Sequence, residues 1–156
     1  KLQDDHGVSD IKIDDGNVKI IGGTEEQFVQ ALPKAKGKQL LTTVQALGVL
    51  KVNNAAEHLR KLVTGDDASL RQVAAWSLAQ MGDAASAAVL LKAADTVQGH
   101  ERDKQTSACL QLAESLRALG NQRQACLIYQ HLRDTRKAPA ETHILEAAER
   151  GLKPAG

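Results

Sequence analysis

Five histidines, two cysteines and a short acidic cluster are the residues through which this chain of 156 could do chemistry. A bound zinc needs His, Cys or carboxylate ligands recurring on one helical face, roughly three to five residues apart. His6, His58, His100, His131 and His143 stand singly, without such partners, and read as surface residues. Asp10, Asp14 and Asp15 have the composition of a calcium loop, but Lys12 occupies a ligand position and Gly16 falls one place late, so a hairpin turn accounts for them better. Cys109 has Gln105 and Glu114 near it on a helix surface and no neighbouring cation to depress its pKa, which argues against an activated thiol. Cys109 and Cys126 fall on consecutive antiparallel helices at heights differing by roughly 8 Å, too far for the ~5.5 Å Cα separation of a disulfide. Both read as small buried apolar residues. Gly22-Gly23-Thr24 reads as a linker into a capped helix, whose Glu25 and Glu26 would repel an anion. No nucleophile elbow, phosphate loop or dinucleotide fingerprint occurs, so no catalytic residue, metal or cofactor is expected.

Charge offers a second kind of chemistry. Lys34, Lys36, Lys38, Lys51, Arg60 and Lys61 face only Glu57 in their stretch, and Arg123, Arg133, Arg136 and Lys137 face only Asp134. Lining one groove, these side chains could neutralise several phosphates, whereas as solvated helix ends they would do nothing specific. The whole chain has 20 basic and 19 acidic residues, so no global field draws it to nucleic acid or an anionic membrane. Phe28, Trp76 and Tyr129 are its only aromatics, which disfavours stacking on single-stranded bases and leaves Ala, Leu, Val and Ile to build the core. No apolar run approaches the ~18 residues of a membrane span, and a soluble chain is expected. The sequence opens on Lys1 rather than Met and reads as a mature product or a segment of a longer polypeptide.

The elements that must position these groups are helical over most of the length. Residues 1–23 form an extension in which Ile11–Asp14 and Asn17–Ile20 alternate about Asp15-Gly16, predicting a hairpin with Ile13 beside Val18 and Ile11 beside Ile20. Thr24-Glu25-Glu26-Gln27 is a capping-box pattern opening a helix that Pro33 and Gly37 should end. Beyond it, apolar residues recur at three- and four-residue spacing. Setting Leu47 over Leu78, an offset of 31, also sets Leu50 over Met81, Ala56 over Ala87, Leu59 over Leu90 and Lys61 over Lys92. A further offset of 38 sets Leu78 over Leu116, Met81 over Leu119, Gly82 over Gly120, Asp83 over Asn121, Ala87 over Ala125 and Leu90 over Ile128. Three units thus share one plan of helix, tight turn, helix.

In the middle unit Asp67 should cap a helix with a buried stripe of Leu70, Val73, Ala74, Leu78 and Met81. Gly82 should stop that helix, and Asp83 should cap the next, which buries Ala87, Leu90, Leu91 and Ala94. Gly120-Asn121 repeats this stop and start, while the first unit has Lys51-Val52 instead. A last helix should open at Pro139, stop near Gly151 and cap the stack.

The stretch from Asp66 to Ala87, with its acidic cap, Leu70-Arg71, paired Ala74-Ala75, Leu78 and Met81-Gly82-Asp83, resembles the HEAT-like repeat also found in phycobilisome lyases. Residues 38–134 follow that pattern, and the third unit is also similar to a tetratricopeptide repeat in Leu116, Gly120, Ala125 and Tyr129. The resemblance implies an all-α fold, an α-α superhelix or short HEAT-like solenoid of antiparallel helix pairs over residues 24–156. It implies nothing specific about function, since scaffolds, adaptors and a few enzymes share it. Lyase activity would need a pigment cleft with acid and base groups, which the resemblance does not locate.

Stacking would leave second-helix positions outside the core stripe to line an inner face. The columns are Asn54, Ala85 and Arg123; His58, Val89 and Leu127; Lys61, Lys92 and Gln130. His58, Lys61, Val89, Lys92, Arg123, Leu127 and Gln130 are the candidate partner-binding residues, mixed in polarity as a protein- or peptide-binding groove would be. Trp76, about 40° off the buried stripe, is expected to pack at a unit boundary. The expected function is a non-catalytic protein-interaction or scaffold module within a larger polypeptide. The alternatives are nucleic-acid backbone binding through a basic concave face and an accessory region of an enzyme.

Overall fold

Three equivalent backbone positions, Lys51, Gly82 and Gly120, share the left-handed conformation, with φ of 56°, 70° and 86°. Each follows a helix end sealed by the same bond, Val52 N–H to Leu47 C=O, Asp83 N–H to Leu78 C=O and Asn121 N–H to Leu116 C=O. This is the Schellman closure, which satisfies carbonyls that a helix leaves orphaned. The first unit therefore makes the same turn as the others, with a lysine in place of glycine.

The computed structural model describes residues 11–14, 17–20 and 37–153. Strands β1 (Ile11–Asp14) and β2 (Asn17–Ile20) pair antiparallel, with Ile11 opposite Ile20 and Ile13 opposite Val18. The helix expected from Thr24 lies outside the described residues, and Gly37, expected to help end it, is the first residue of the next helix. Seven α-helices follow among the described residues: α1 (Gly37–Val49), α2 (Ala56–Val63), α3 (Ala68–Met81), α4 (Ala87–Thr96), α5 (Gly99–Ala118), α6 (Gln122–Thr135) and α7 (Thr142–Leu152). Single 3-10 turns at Asn53–Ala55, Ala84–Ser86 and Pro139–Glu141 lead into α2, α4 and α7.

The first helices pack in succession, α1 on α3 and α3 on α5; α2 packs on α3, α4 on α5 and α6 on α5 and α7, whereas α2, α4 and α6 meet only thinly. One cluster of buried apolar side chains runs through all three units, including Val44, Leu47, Leu59, Leu78, Leu90, Leu112, Leu116, Ile128 and Leu132. At about 1.5–3 kcal/mol for each fully buried Leu or Ile, this stripe is what makes the units stack. Alanines fill the contacts between them, and at Gly48 the approach is closer still. A Cβ there would lie 2.7 Å from the Ser77 Cα, and the Ser77 hydroxyl donates to the Val44 carbonyl at 2.8 Å.

Several local expectations are corrected. Asp67 and Asn121 do cap α3 and α6, accepting from Leu70 N–H at 3.1 Å and Gln124 N–H at 3.3 Å. Asp83 makes no such cap; its carboxylate accepts from Arg60 at 2.6 Å and from the Ser86 hydroxyl. Leu50 and Leu119 align with buried Met81 but are 37% and 69% exposed, because each follows the last residue of its helix. The last helix ends at Leu152, next to Gly151 as expected, and Gly151 is buried where a Cβ would strike the Tyr129 ring.

The change of offset from 31 to 38, seven residues, has a single location. α3 begins at Ala68, whose equivalent in the third unit is Thr106, yet α5 begins at Gly99. Seven residues are two helical turns, so the addition keeps the helix in phase. Those turns bring in Glu101, Arg102, Lys104 and Gln105.

Candidate partner-binding surface

The seven candidate residues stand on the second helices as expected: His58 and Lys61 on α2, Val89 and Lys92 on α4, and Arg123, Leu127 and Gln130 on α6. All but Val89 are exposed, and Leu127 keeps 50% of its surface. Because α2, α4 and α6 hardly touch, these residues are spread along a ribbed surface.

A concavity lies on the opposite row. Gln45 of α1, Gln72, Val73 and Trp76 of α3, and Lys104, Ser107, Ala108 and Gln111 of α5 line a groove of about 510 Å³. None of the seven second-helix residues enters it. Trp76, expected to pack at a unit boundary, is 37% exposed and presents its ring there. The α5 lining has helical i, i+3, i+4, i+7 spacing, so one face of that helix supplies it. That periodicity was readable in the sequence; which neighbouring helices oppose it was not. Among the described residues the three glutamine side chains make no hydrogen bond to protein, and Lys104 makes no ion pair. Lys104 is the single charged residue of the lining.

Beside the groove, charged side chains strap the units together. Arg71 donates to both Glu101 oxygens at 2.6 and 2.8 Å, and Arg102 donates to Glu141 at 2.7 Å. The Arg71 guanidinium holds the Glu101 carboxyl below the usual range against a smaller opposing effect of burial, and Arg102 does the same for Glu141. Arg136, grouped by sequence with surface cations, is instead wholly buried at 1% exposure, donating to Asp95 at 2.6 Å and to the Thr106 hydroxyl. Its partners lie on three other elements, which no local pattern announces. Asp95 also meets His131 Nε2 at 2.7 Å, so His131 is not a free surface histidine. Burial pushes the Asp95 carboxyl up, but the bonds from Arg136 and His131 outweigh this and leave it below the ordinary value. With Arg136 internal and Arg60 tied to Asp83, the basic clusters lose two members as phosphate ligands; Lys34 and Lys36 lie outside the described residues.

The two cysteines, both expected to be buried, differ in their surroundings. Cys109 is buried, and its thiol is pushed up to about 12 by that burial, with Arg136 as an opposing cation the sequence did not reveal. Cys126 is only partly buried, and neither cysteine is in a disulfide. Gln105 is buried with no hydrogen-bond partner for either polar side-chain atom. Among the described residues no cluster of three His, Cys, Asp or Glu could hold a metal, and no helix is long and apolar enough to cross a membrane.

Residues 70–96, which hold α4 and all but the first two residues of α3, match the family profile of the PBS lyase HEAT-like repeat. The match lies within the middle unit, which is similar to a HEAT-like repeat. No curated protein and no solved structure matches the chain. The HEAT-like unit supplies Gln72, Val73 and Trp76 to the groove and Arg71 to the strap beside it. Its Met81-Gly82-Asp83 segment is the stop, left-handed turn and inter-unit ion pair just described. The third unit, outside the match, repeats the turn with two extra helical turns at its first helix.

Proposed function

We propose that the chain is a non-catalytic protein–protein interaction or scaffold module belonging to a larger polypeptide, with residues 24–156 as a short HEAT-like solenoid and residues 1–23 as an extension. The observation that carries this reading is the groove in which Trp76 is exposed. A large aromatic left uncovered in a concavity is the usual form of an interface anchor. The same groove argues against catalysis, since its lining contains no carboxylate, imidazole or thiol to act as acid, base or nucleophile. The second-helix columns His58, Lys61, Val89, Lys92, Arg123, Leu127 and Gln130 offer a second contact face, favoured by the half-exposed Leu127.

Panning a displayed linear-peptide library against the full chain tests the proposal. Ligands should be enriched, and Trp76→Ala should abolish their binding while Leu127→Lys leaves it intact. Ligands with the reverse dependence would move the contact to the second-helix face. Enrichment of none, in repeated rounds, would remove the interaction reading.

A further inference from the structure

Three primary amides, one indole and one ammonium share the groove with little else that is polar: Gln45, Gln72, Gln111, Trp76, Lys104 and the Ser107 hydroxyl. We propose that this groove takes an extended peptide whose main chain is bound by the glutamines, with an apolar side chain on Trp76 and a carboxylate, from Asp, Glu or a C-terminus, on Lys104. The inference rests on the interaction role proposed above and assigns the chemistry of the partner.

A side-chain amide carries both donors and an acceptor, and so matches both the N–H and the C=O of a peptide unit. A helical partner has its own amides satisfied internally and is recognised by apolar grooves. Here Val73, Trp76 and Ala108 supply apolar surface for a side chain, and three glutamines line the same groove. An extended segment has free main-chain groups and gains most from glutamines. Dimensions agree. Crossing α1, α3 and α5 at ~9–10 Å per helix step is about 20 Å, or about six extended residues. Charge selects the rest: with one cation and no anion in the lining, a carboxylate on the peptide is favoured and a lysine disfavoured. The cation comes from the two added turns of α5, so the unit that departs from the repeat supplies the selectivity.

Trp76 is the sole tryptophan, so its emission reports occupancy directly. The probes are pooled octapeptides, acetylated and amidated, in neutral, one-Glu and one-Lys sets, with a neutral set left free at the C-terminus and a backbone N-methylated copy of the Glu set. The Glu and free-terminus sets should shift Trp76 emission at roughly five-fold lower concentration than the neutral set, the scale of a partly exposed ion pair. The Lys set should be weakest and the N-methylated set inactive. Lys104→Gln should erase the preference and Lys104→Glu reverse it; Lys104 is exposed, and circular dichroism checks that both variants fold. Equal response to all charge sets would overturn the carboxylate assignment, and undiminished binding of the N-methylated set would overturn main-chain recognition. In either case the module reading stands. Silence from every set, with panned ligands that depend on Leu127, would remove the groove while keeping the module; silence together with no panned ligand would remove both.

Discussion

The junction between the first two units and that between the second and third solve one packing problem differently. At the first, Gly48 lets α1 approach the Ser77 backbone of α3, and a buried hydroxyl-to-carbonyl bond pins the contact. At the second, α5 is longer by two turns, and long charged side chains link the units through Arg71–Glu101 and the Arg136–Asp95–His131 group. Both junctions line the Trp76 groove, Gln45 from the first and Lys104, Ser107, Ala108 and Gln111 from the second. The stretched repeat supplies that groove with its one cation, Lys104.

The contrast can be broken most severely at Arg136. Arg136→Ala strips Asp95 and Thr106 of a buried donor, and loss of about 3 kcal/mol is expected, seen as a fall in Tm of about 6–12 °C. A fall under about 2 °C would mean that water replaces the guanidinium and that the strap is ornamental. At the other junction, Gly48→Ala should cost about 2 kcal/mol, since the added methyl meets backbone, which cannot rotate away. Urea unfolding measures it, and an unchanged midpoint would show that α1 slides freely over α3.

Acid separates the two junctions without mutation. Glu101 and Glu141 have folded pKa values held below their unfolded ones, so their contribution is complete above about pH 4.3 and is lost as pH falls through the folded values. Both pairs keep some water contact, so the loss is on the order of 1 kcal/mol. Thermal melts from neutral pH to pH 3 should show it, and Arg71→Gln should reduce it. The smallest effect is expected where the first unit's turn departs from the others. Lys51→Gly relieves left-handed strain of about 1–2 kcal/mol but returns about 0.4–1 to the unfolded chain, a net gain of about 0.5–1 kcal/mol. A loss instead would show that the Lys51 side chain holds the turn.

Local chemistry was legible from the sequence where it acts over a few residues. Asp67 and Asn121 cap because a short acceptor beside the first free N–H groups has nowhere better to bond, and Gly82 and Gly120 sit where a Cβ would be strained. The 31-residue offset was visible because the same turn recurs, even with lysine in its strained position. Leu50 and Leu119 misled because periodicity assigns a residue to a stripe without saying whether anything covers the stripe's end.

The amino-acid order alone determined the helix pairs, their turns and the apolar stripe that forces them to stack, since each depends on neighbours within about one repeat. Tertiary structure decided which charges are internal and which face is hollow. Arg136 is buried because Asp95, Thr106 and Glu141 converge on it from distant positions, and Trp76 is exposed in a groove that α1, α3 and α5 line together. Burial and concavity belong to the packed assembly of helices, and no single stretch of chain encodes them.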